Sequence, residues 1–527
     1  MLGTSVAEAG DVDGDGIPDL IVGAPQMDTN GWTDNGVVFL YSGETGAEIR
    51  QLHGTGNGVL FGYSVANAGD VNGDGFADQI VGAPKASGNG FTEGGLVNVY
   101  SGKDGSQIYG YGGHSAYSKV GTCVAGSGDV NADGYADFLF GGHLEDANGL
   151  LDSGTVLVYS GKDGQIIHQL NGQNDWDWFG YSVAMAGDID SDNYTDFMVA
   201  AINADPNSIQ SAGTVYVYSG RHGTPIHKFD GAELSGWYGW SLCSIGDLDG
   251  DNVNELVIGS PWIESNGLSQ AGLAQVFSGA TGVEILRLQG QQESGHFGNS
   301  LSNAHDVDGD GMDDLLIGAK WESPAGELSG SAYIWSVAEG SLIKRIDGGN
   351  PQDQLGSAVA GVGDINEDGL AEVLIGAMGK DPGGQESAGV ALVYSLDPFL
   401  HLSQSTLSSS QPDSVELNLD FPDSEAGFSY VILASLHGKG PSRRGGIDIP
   451  LTADRLFKQM YAGWSPPFLS NGQGVLDSLG KASATLEGHP AMAPAIGNNV
   501  FLAGVSFNPA AGKVGSTSIA RQITITP

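Results

Sequence analysis

"FGYSVANAGDVNGDGFADQIVGAP", residues 61–84, joins a short alternating segment, a nine-residue acidic loop and an apolar run ending in small residues. The loop, Asp70 to Asp78, sets oxygen-bearing side chains at alternate positions, a crowding that like-charge repulsion opposes. It returns as DVDGDGIPD from Asp11, DVNADGYAD from Asp129, DIDSDNYTD from Asp188, DLDGDNVNE from Asp247, DVDGDGMDD from Asp306 and DINEDGLAE from Asp364. The starts are 59 residues apart five times and then 58. A fixed period of this length marks a repeat architecture.

Each loop belongs to a larger unit. A glycine stands eight residues ahead of the first Asp in every copy: Gly3, Gly62, Gly121, Gly180, Gly239, Gly298 and Gly356. After the loop come apolar runs such as LIVGAP, QIVGAP, LVIGSP and LLIGAK, then GVVFLYSG, GLVNVYSG, GTVLVYSG and GTVYVYSG, and a closing run such as EIRQL, IIHQL or EILRL. All are short, β-branched or aromatic-rich and bounded by turn residues, so they read as strands. One repeat therefore predicts a four-stranded antiparallel sheet with two apolar faces. Stacking against its neighbours on both sides covers them, which a seven-bladed β-propeller over residues 1–400 provides. An open solenoid is the other solution, but it needs distinct capping repeats, and the first and last copies resemble the rest.

The bulk composition fits this reading. Gly numbers 86 of 527 residues, well above the roughly 7% of ordinary usage, as many tight turns require. Asp+Glu is 63 against Lys+Arg 20, a formal net charge of -43, which leaves nothing to neutralise nucleic-acid phosphates or to dock on an anionic membrane. No apolar run reaches the length of a membrane span. The chain opens directly on repeat sequence, so any export signal is expected to have been removed. Cys123 and Cys243 lie six and four residues before their acidic loops, on equivalent strands of the third and fifth repeats, and since these repeats are not neighbours two small buried thiols are expected in place of a disulfide.

Charge changes near residue 400: beyond it stand 9 acids and 8 bases, leaving 54 and 12 before it. Residues 401–414 read as a linker, and 415–527 as a small β-sandwich-like domain with strands in SVELNLDF, FSYVILASL, GIDIPLT, NNVFLAGVSF and ARQITITP and one short helix in ADRLFKQMYAG. Lys439, Arg443 and Arg444 could hold an anion, though a solvated loop is the plainer reading.

Phe61-Gly62 and Gly82-Ala83-Pro84, with the acidic loop between them, resemble the FG-GAP repeat that builds the seven-bladed propeller of integrin α subunits. The resemblance covers residues 2 to about 400, with drift to GGH at 141–143 and AAI at 200–202. It implies the propeller and not integrin identity, since neither an inserted ligand-binding domain nor leg-like sequence accompanies the repeats; integrin-like propellers without such legs are familiar in bacteria, so a bacterial integrin-like surface protein is expected.

The spacing of the acids predicts a cation site in every loop. Oxygens at positions 1, 3 and 5, a turn residue at 6, the carbonyl at 7 and an acid at 9 make an oxygen cage inside a β-hairpin. Ca²⁺ suits it; Mg²⁺, which keeps its waters and a strict octahedron, ranks second. An EF-hand would need an acid at position 12, where Val22, Val81 and Phe140 stand. The first set is Asp11, Asp13, Asp15, the carbonyl of Ile17, and Asp19; the second is Asp70, Asn72, Asp74, Phe76 and Asp78. The third is Asp129, Asn131, Asp133, Tyr135 and Asp137; the fourth is Asp188, Asp190, Asp192, Tyr194 and Asp196. The fifth is Asp247, Asp249, Asp251, Val253 and Glu255; the sixth is Asp306, Asp308, Asp310, Met312 and Asp314. The seventh is Asp364, Asn366, Asp368, Leu370 and Glu372. Asn193 and Asn252 replace the turn glycine, which Asn tolerates in the left-handed region. Up to seven Ca²⁺ would move the formal charge from -43 to -29 and, at the millimolar calcium found outside cells, point to an extracellular or cell-surface protein.

Loops at the other end of each sheet vary most and carry Trp32, Trp176, Trp178, Trp237, Trp262 and Trp321, with Trp240 on the strand beside them. Aromatic clusters on variable loops favour recognition of a protein or glycan ligand; covering the seams between repeats is the alternative use. The family resemblance implies a partner on this same face. A monomeric recognition or adhesion module is the leading expectation and a structural spacer the third. Second stands a secreted carbohydrate-active lyase or hydrolase, for which the scattered histidines His114, His143, His168 and His296 offer no catalytic signature.

Overall fold

A computed structural model of the chain describes residues 1–526 except 339, 385–386, 397–399, 405, 410–412, 422–424, 438–441, 445–446, 450, 464, 479, 490–498, 509–512 and 519–520. Lys439 lies outside the described residues. The chain forms two compact units: Met1–His305, Met312–Ala338 and Arg345–Ser395 in the first, and Asp306–Gly311, Glu339–Lys344 and Leu396–Pro527 in the second.

The first unit is all-β, an array of antiparallel sheets consistent with a β-propeller. In the first repeat Ser5–Gly10, Asp19–Ala24, Val37–Tyr41 and Glu48–His53 pair in that order. The next five repeats follow the same order, and the seventh shows three described strands, Leu355–Gly361, Val373–Ala377 and Val390–Tyr394. Burial grades across each sheet as the sequence dictates. The second strand, DLIVGA in the first repeat, is buried at every residue because sheets cover both its faces. The fourth strand, EIRQLH, buries only Leu52 and otherwise mixes exposed and half-buried residues at the outer edge.

Each first strand packs beside the first strand of the next repeat, and the seventh packs beside the first. Apolar clusters fill the seams: Val6, Leu20 and Val22 meet Ala360, Val362 and Leu374 where the last repeat adjoins the first. The FG and GAP glycines meet across these seams. A Cβ on Gly82 would stand 2.0 Å from the carbonyl oxygen of Gly121, and one on Gly23 would stand 2.1 Å from that of Gly62. In the fourth repeat Ala200 takes the GAP-glycine place, and Gly239 still faces it. Glycine recurs here because main chain abuts main chain.

In the second unit Leu400–Leu402, Ser414–Asp420, Lys481–Glu487 and Leu469–Ser470 form one sheet in that order. Thr406–Ser408, Arg521–Thr526, Asn499–Asn508, Ser429–Ser435 and Gln473–Val475 form another. A core including Leu417, Phe421, Ile432, Leu502 and Ile523 draws on both. One helix, Arg455–Tyr461, is capped by the Asp454 carboxylate, which accepts the Phe457 N–H. The segment read as a linker holds the strand Thr406–Ser408, which pairs in parallel with Thr524–Thr526. No described helix is long and apolar enough to cross a membrane.

Candidate metal loops and an aromatic arc at opposite ends of the sheets

Antiparallel order places the acidic loop and the turn after the third strand at one end of each sheet. The loop after the second strand and the connection to the next repeat fall at the other.

At the first end the position-1 carboxylate organises the turn. Asp70 accepts N–H groups of Gly73 at 2.7 Å, Asp74 at 3.0 Å and Gly75 at 2.9 Å, and the position-5 carboxylate of Asp74 accepts the Phe76 N–H at 3.1 Å. The turn position 6 is left-handed throughout, including Asn193 (φ 66) and Asn252 (φ 67). Position 4 is left-handed too, even where it is Ala132, Ser191 or Glu367. Neighbouring loops are linked through their main chains: the Ala77 N–H donates to the Asp11 carbonyl at 3.0 Å, and Thr195 to Asp129 likewise.

The position-9 acid is different from the rest. Asp19, Asp78, Asp137, Asp196 and Glu255 are fully buried, whereas Asp13 and Asp15 are exposed. Asp78 accepts the Val71 N–H with one oxygen and the Gly102 N–H with the other, each at 3.0 Å. Asp19 holds Gly43, Asp137 holds Gly161 and Asp196 holds Gly220 in the same way. Desolvation, opposed by these N–H donors, pushes Asp19 and Asp196 up to about 6 and Asp78 and Asp137 up to about 7. Glu255 and Glu372 also rise to about 7 by burial. The glycine partners escaped the sequence reading, although the recurring YSG that ends the third strand is their signature.

Ligand oxygens gather within 4.8 Å of one another in four loops: Asp11, Asp13 and Asp15; Asp188, Asp190 and Asp196; Asp247, Asp249, Asp251 and Glu255; and Asp306, Asp308 and Asp314. In the second, third and seventh loops, where Asn72, Asn131 and Asn366 take position 3, no three acids gather among the described residues. In the first loop Asp19 stands outside its group. Among the described buried oxygens of these loops, Asn131 Oδ1 and Glu255 Oε1 lack a hydrogen-bond partner. Orphaned acceptors facing a carboxylate set fit a hard cation.

At the other end the tryptophans divide. Trp178, Trp237, Trp240, Trp262 and Trp321, all half-buried, join one arc of ring contacts. His143 touches Trp178 at 6.0 Å and Tyr181 at 5.3 Å, and Tyr181 meets Trp240 at 5.1 Å. Trp237 lies 5.7 Å from Trp240 and 5.2 Å from Trp262. His296 closes the arc, 4.1 Å from Trp262 and 4.0 Å from Trp321. Burial lowers both imidazoles to about 4, with Lys119 adding to the effect on His143 and Lys320 to that on His296. Trp176 stands apart, exposed over a polar recess with Asn174, Asp177, Asn203 and Asp205, and Trp32 is exposed as well. Tyr181, His143 and His296 were not foreseen as arc members. Repeat register could have found them: His296 occupies the same place as Trp178 and Trp237, two residues before the FG glycine.

The thiols of Cys123 and Cys243 are unpaired, and burial raises them to about 11 and about 12.

The FG-GAP repeat model matches residues 3–41, 61–100, 179–218 and 297–335. Among similar proteins, integrin alpha-5 of Xenopus laevis is 34% identical over 207 residues, covering 36% of this chain and 19% of that protein. Integrin alpha-V of Gallus gallus is 33% identical over 206 residues, with the same shares, and integrin alpha-IIb of Homo sapiens 27% identical over 219, covering 39% and 20%. The chain thus spans about a fifth of the length of these relatives.

Proposed function

Since the chain is an integrin-like FG-GAP repeat protein, we propose that its repeats form a seven-bladed, calcium-loaded propeller serving as an extracellular or cell-surface recognition module. The remainder, 415–527, is read as an appended β-sandwich. Each loop would hold its ion with the oxygens at positions 1, 3, 5 and 9 and the carbonyl at 7. The ion, when bound, supplies the positive charge that lets these carboxylates stay ionised side by side.

The fifth loop carries the calcium reading. There Asp247, Asp249, Asp251 and Glu255 converge, and the buried Glu255 keeps one oxygen without a hydrogen bond. An ion at that point satisfies the oxygen and offsets the desolvation that holds its carboxyl near 7. Calcium titration of the full chain by calorimetry, compared with Glu255→Gln, tests it. Loss of one equivalent of heat in the variant supports the site; unchanged stoichiometry and affinity overturn it.

Ligand recognition is assigned to the end opposite the acidic loops. Half-buried indoles supply large contact area at small entropic cost, and they cluster in the third to sixth repeats instead of spreading evenly. The integrin relatives lend the reading of an adhesive or binding module over that of an enzyme. A glycan and protein array probed with the intact chain and with Trp262→Ala tests this assignment: signal lost in the variant supports it, and signal indifferent to the arc removes it.

A further inference from the structure

We propose that the arc from Trp178 to Trp321 takes an acidic glycan, with Lys320 meeting the carboxylate of a sugar that stacks on Trp262 and Trp321. The inference rests on the reading of this end of the sheets as the recognition face and names the ligand class.

Lys320 is anomalous on three counts. In repeat register it follows the glycine–alanine pair where Pro25, Pro84, Ile202 and Pro261 stand in other copies, so it is not needed to build the turn. It sits between the buried Ala319 and Trp321 of the arc, and burial lowers its ammonium pKa with no acid contributing. It also makes no ion pair with any described residue. Acids outnumber bases 63 to 20 here, and several bases stand in ion pairs, among them Lys119 with Glu93, Lys228 with Asp230, Arg287 with Glu284, and Arg345 with Glu322 and Asp347. A half-buried cation without a counter-charge gains from a ligand that supplies one.

Its surroundings narrow the ligand. His296, whose imidazole feels the Lys320 charge, is only 1% exposed, and its Nε2 and the Nε1 of its neighbour Trp262 are buried without a hydrogen-bond partner. A cationic guest side chain, which aromatic surroundings would otherwise favour, would meet Lys320 at close range and be repelled. A neutral guest leaves the ammonium uncompensated. A hexuronate unit offers both features the site lacks: an apolar C–H face for the indoles and a carboxylate fixed at the ring edge for Lys320. An acidic peptide has the charge without the flat face, so it fits less well.

The test uses the calcium-saturated full chain and four probes: a short oligouronide, its methyl-esterified counterpart, a polyglutamate peptide and a polyarginine peptide. Binding is read by calorimetry and indole fluorescence. The oligouronide is expected to bind at least about tenfold more tightly than the ester, the difference a charge-assisted contact provides. Lys320→Met and Lys320→Gln should abolish that difference without lowering the melting temperature; this also separates the arc from carboxylates bridged by ions in the acidic loops. Equal affinity for acid and ester, tighter binding of polyglutamate or polyarginine, no effect of the Lys320 variants, or no oligouronide binding each overturns the proposal. Trp262-dependent binding of an uncharged or cationic probe would sink the acidic ligand while sparing the recognition face; arrays blank at the arc would sink both.

Discussion

Gly376 and Gly3 touch main chain to main chain: a methyl group on Gly376 would stand 2.2 Å from the Gly3 carbonyl oxygen. The same abutment joins Gly141 to Gly180 and Gly318 to Gly356, at 1.8 Å and 2.2 Å. The contact between the seventh and first repeats is therefore made as at the other seams where glycine meets glycine.

Gly376→Ala is expected to lower stability by about 3 kcal/mol or more, because backbone, unlike a side-chain end, cannot swing away. Gly16→Ala is the control. Its left-handed φ of 92 is strained for alanine, but nothing lies within 4 Å, so about 1 kcal/mol is expected. Urea midpoints in chelator measure both; equal losses would refute a packing role for Gly376.

Removing divalent ions should lower the melting temperature on the order of 10 °C. Each occupied site at a hundredfold excess over its Kd contributes about 2.7 kcal/mol, and several act on one unit. Calorimetric scans in calcium and in EDTA check this. Superimposable scans would count against the ions.

Asp78→Ala and Asp13→Ala separate scaffold from ligand. Asp78 is buried and satisfies the Val71 and Gly102 N–H groups, so its loss should cost about 2–5 kcal/mol even in chelator. Asp13 is exposed, and its removal should be near neutral in chelator while weakening calcium affinity in the first loop. Chemical denaturation with and without calcium distinguishes them.

His143 and His296 should titrate near pH 4 by NMR. Both are neutral in the folded chain where the unfolded chain, with its ordinary midpoint of about 6.5, takes up protons. Their contribution is thus present above pH 6.5 and lost as pH falls toward 4. His296→Phe, which keeps a ring without the proton, should show a shallower loss across that window; an unchanged slope would contradict the assignment.

Period and residue type made the strands and all seven acidic loops legible, since a nine-residue motif at fixed spacing needs no long-range information. What escaped depends on contacts between distant segments or on conformation that residue type conceals. Gly43 and Gly102 are tied to Asp19 and Asp78 from the far side of a hairpin. Ala132, Ser191 and Glu367 adopt left-handed geometry that their side chains do not announce. Trp176 and Trp178 are two residues apart, yet one is exposed over a recess and the other joins the arc through His143. The strand Lys481–Glu487, KASATLE, carries only small residues and one leucine as its apolar content, and so gave little signal of the sheet it enters.

The buried acids at position 9 have a mechanical consequence. In the first four repeats one carboxylate fastens both turns at the same end of its sheet, Asp19 to Gly43 and Asp196 to Gly220 among them. That end is stapled crosswise by a side chain in every such copy, whereas the tryptophan-bearing end is tied by main chain: the Phe61 N–H donates to the Asn35 carbonyl, Phe179 to Ser153 and Phe297 to Ala271. A side-chain clasp fixes residue type at one end, whereas a main-chain clasp holds whatever the side chains are, which leaves the other end free to change its chemistry from repeat to repeat without loosening the frame that carries it.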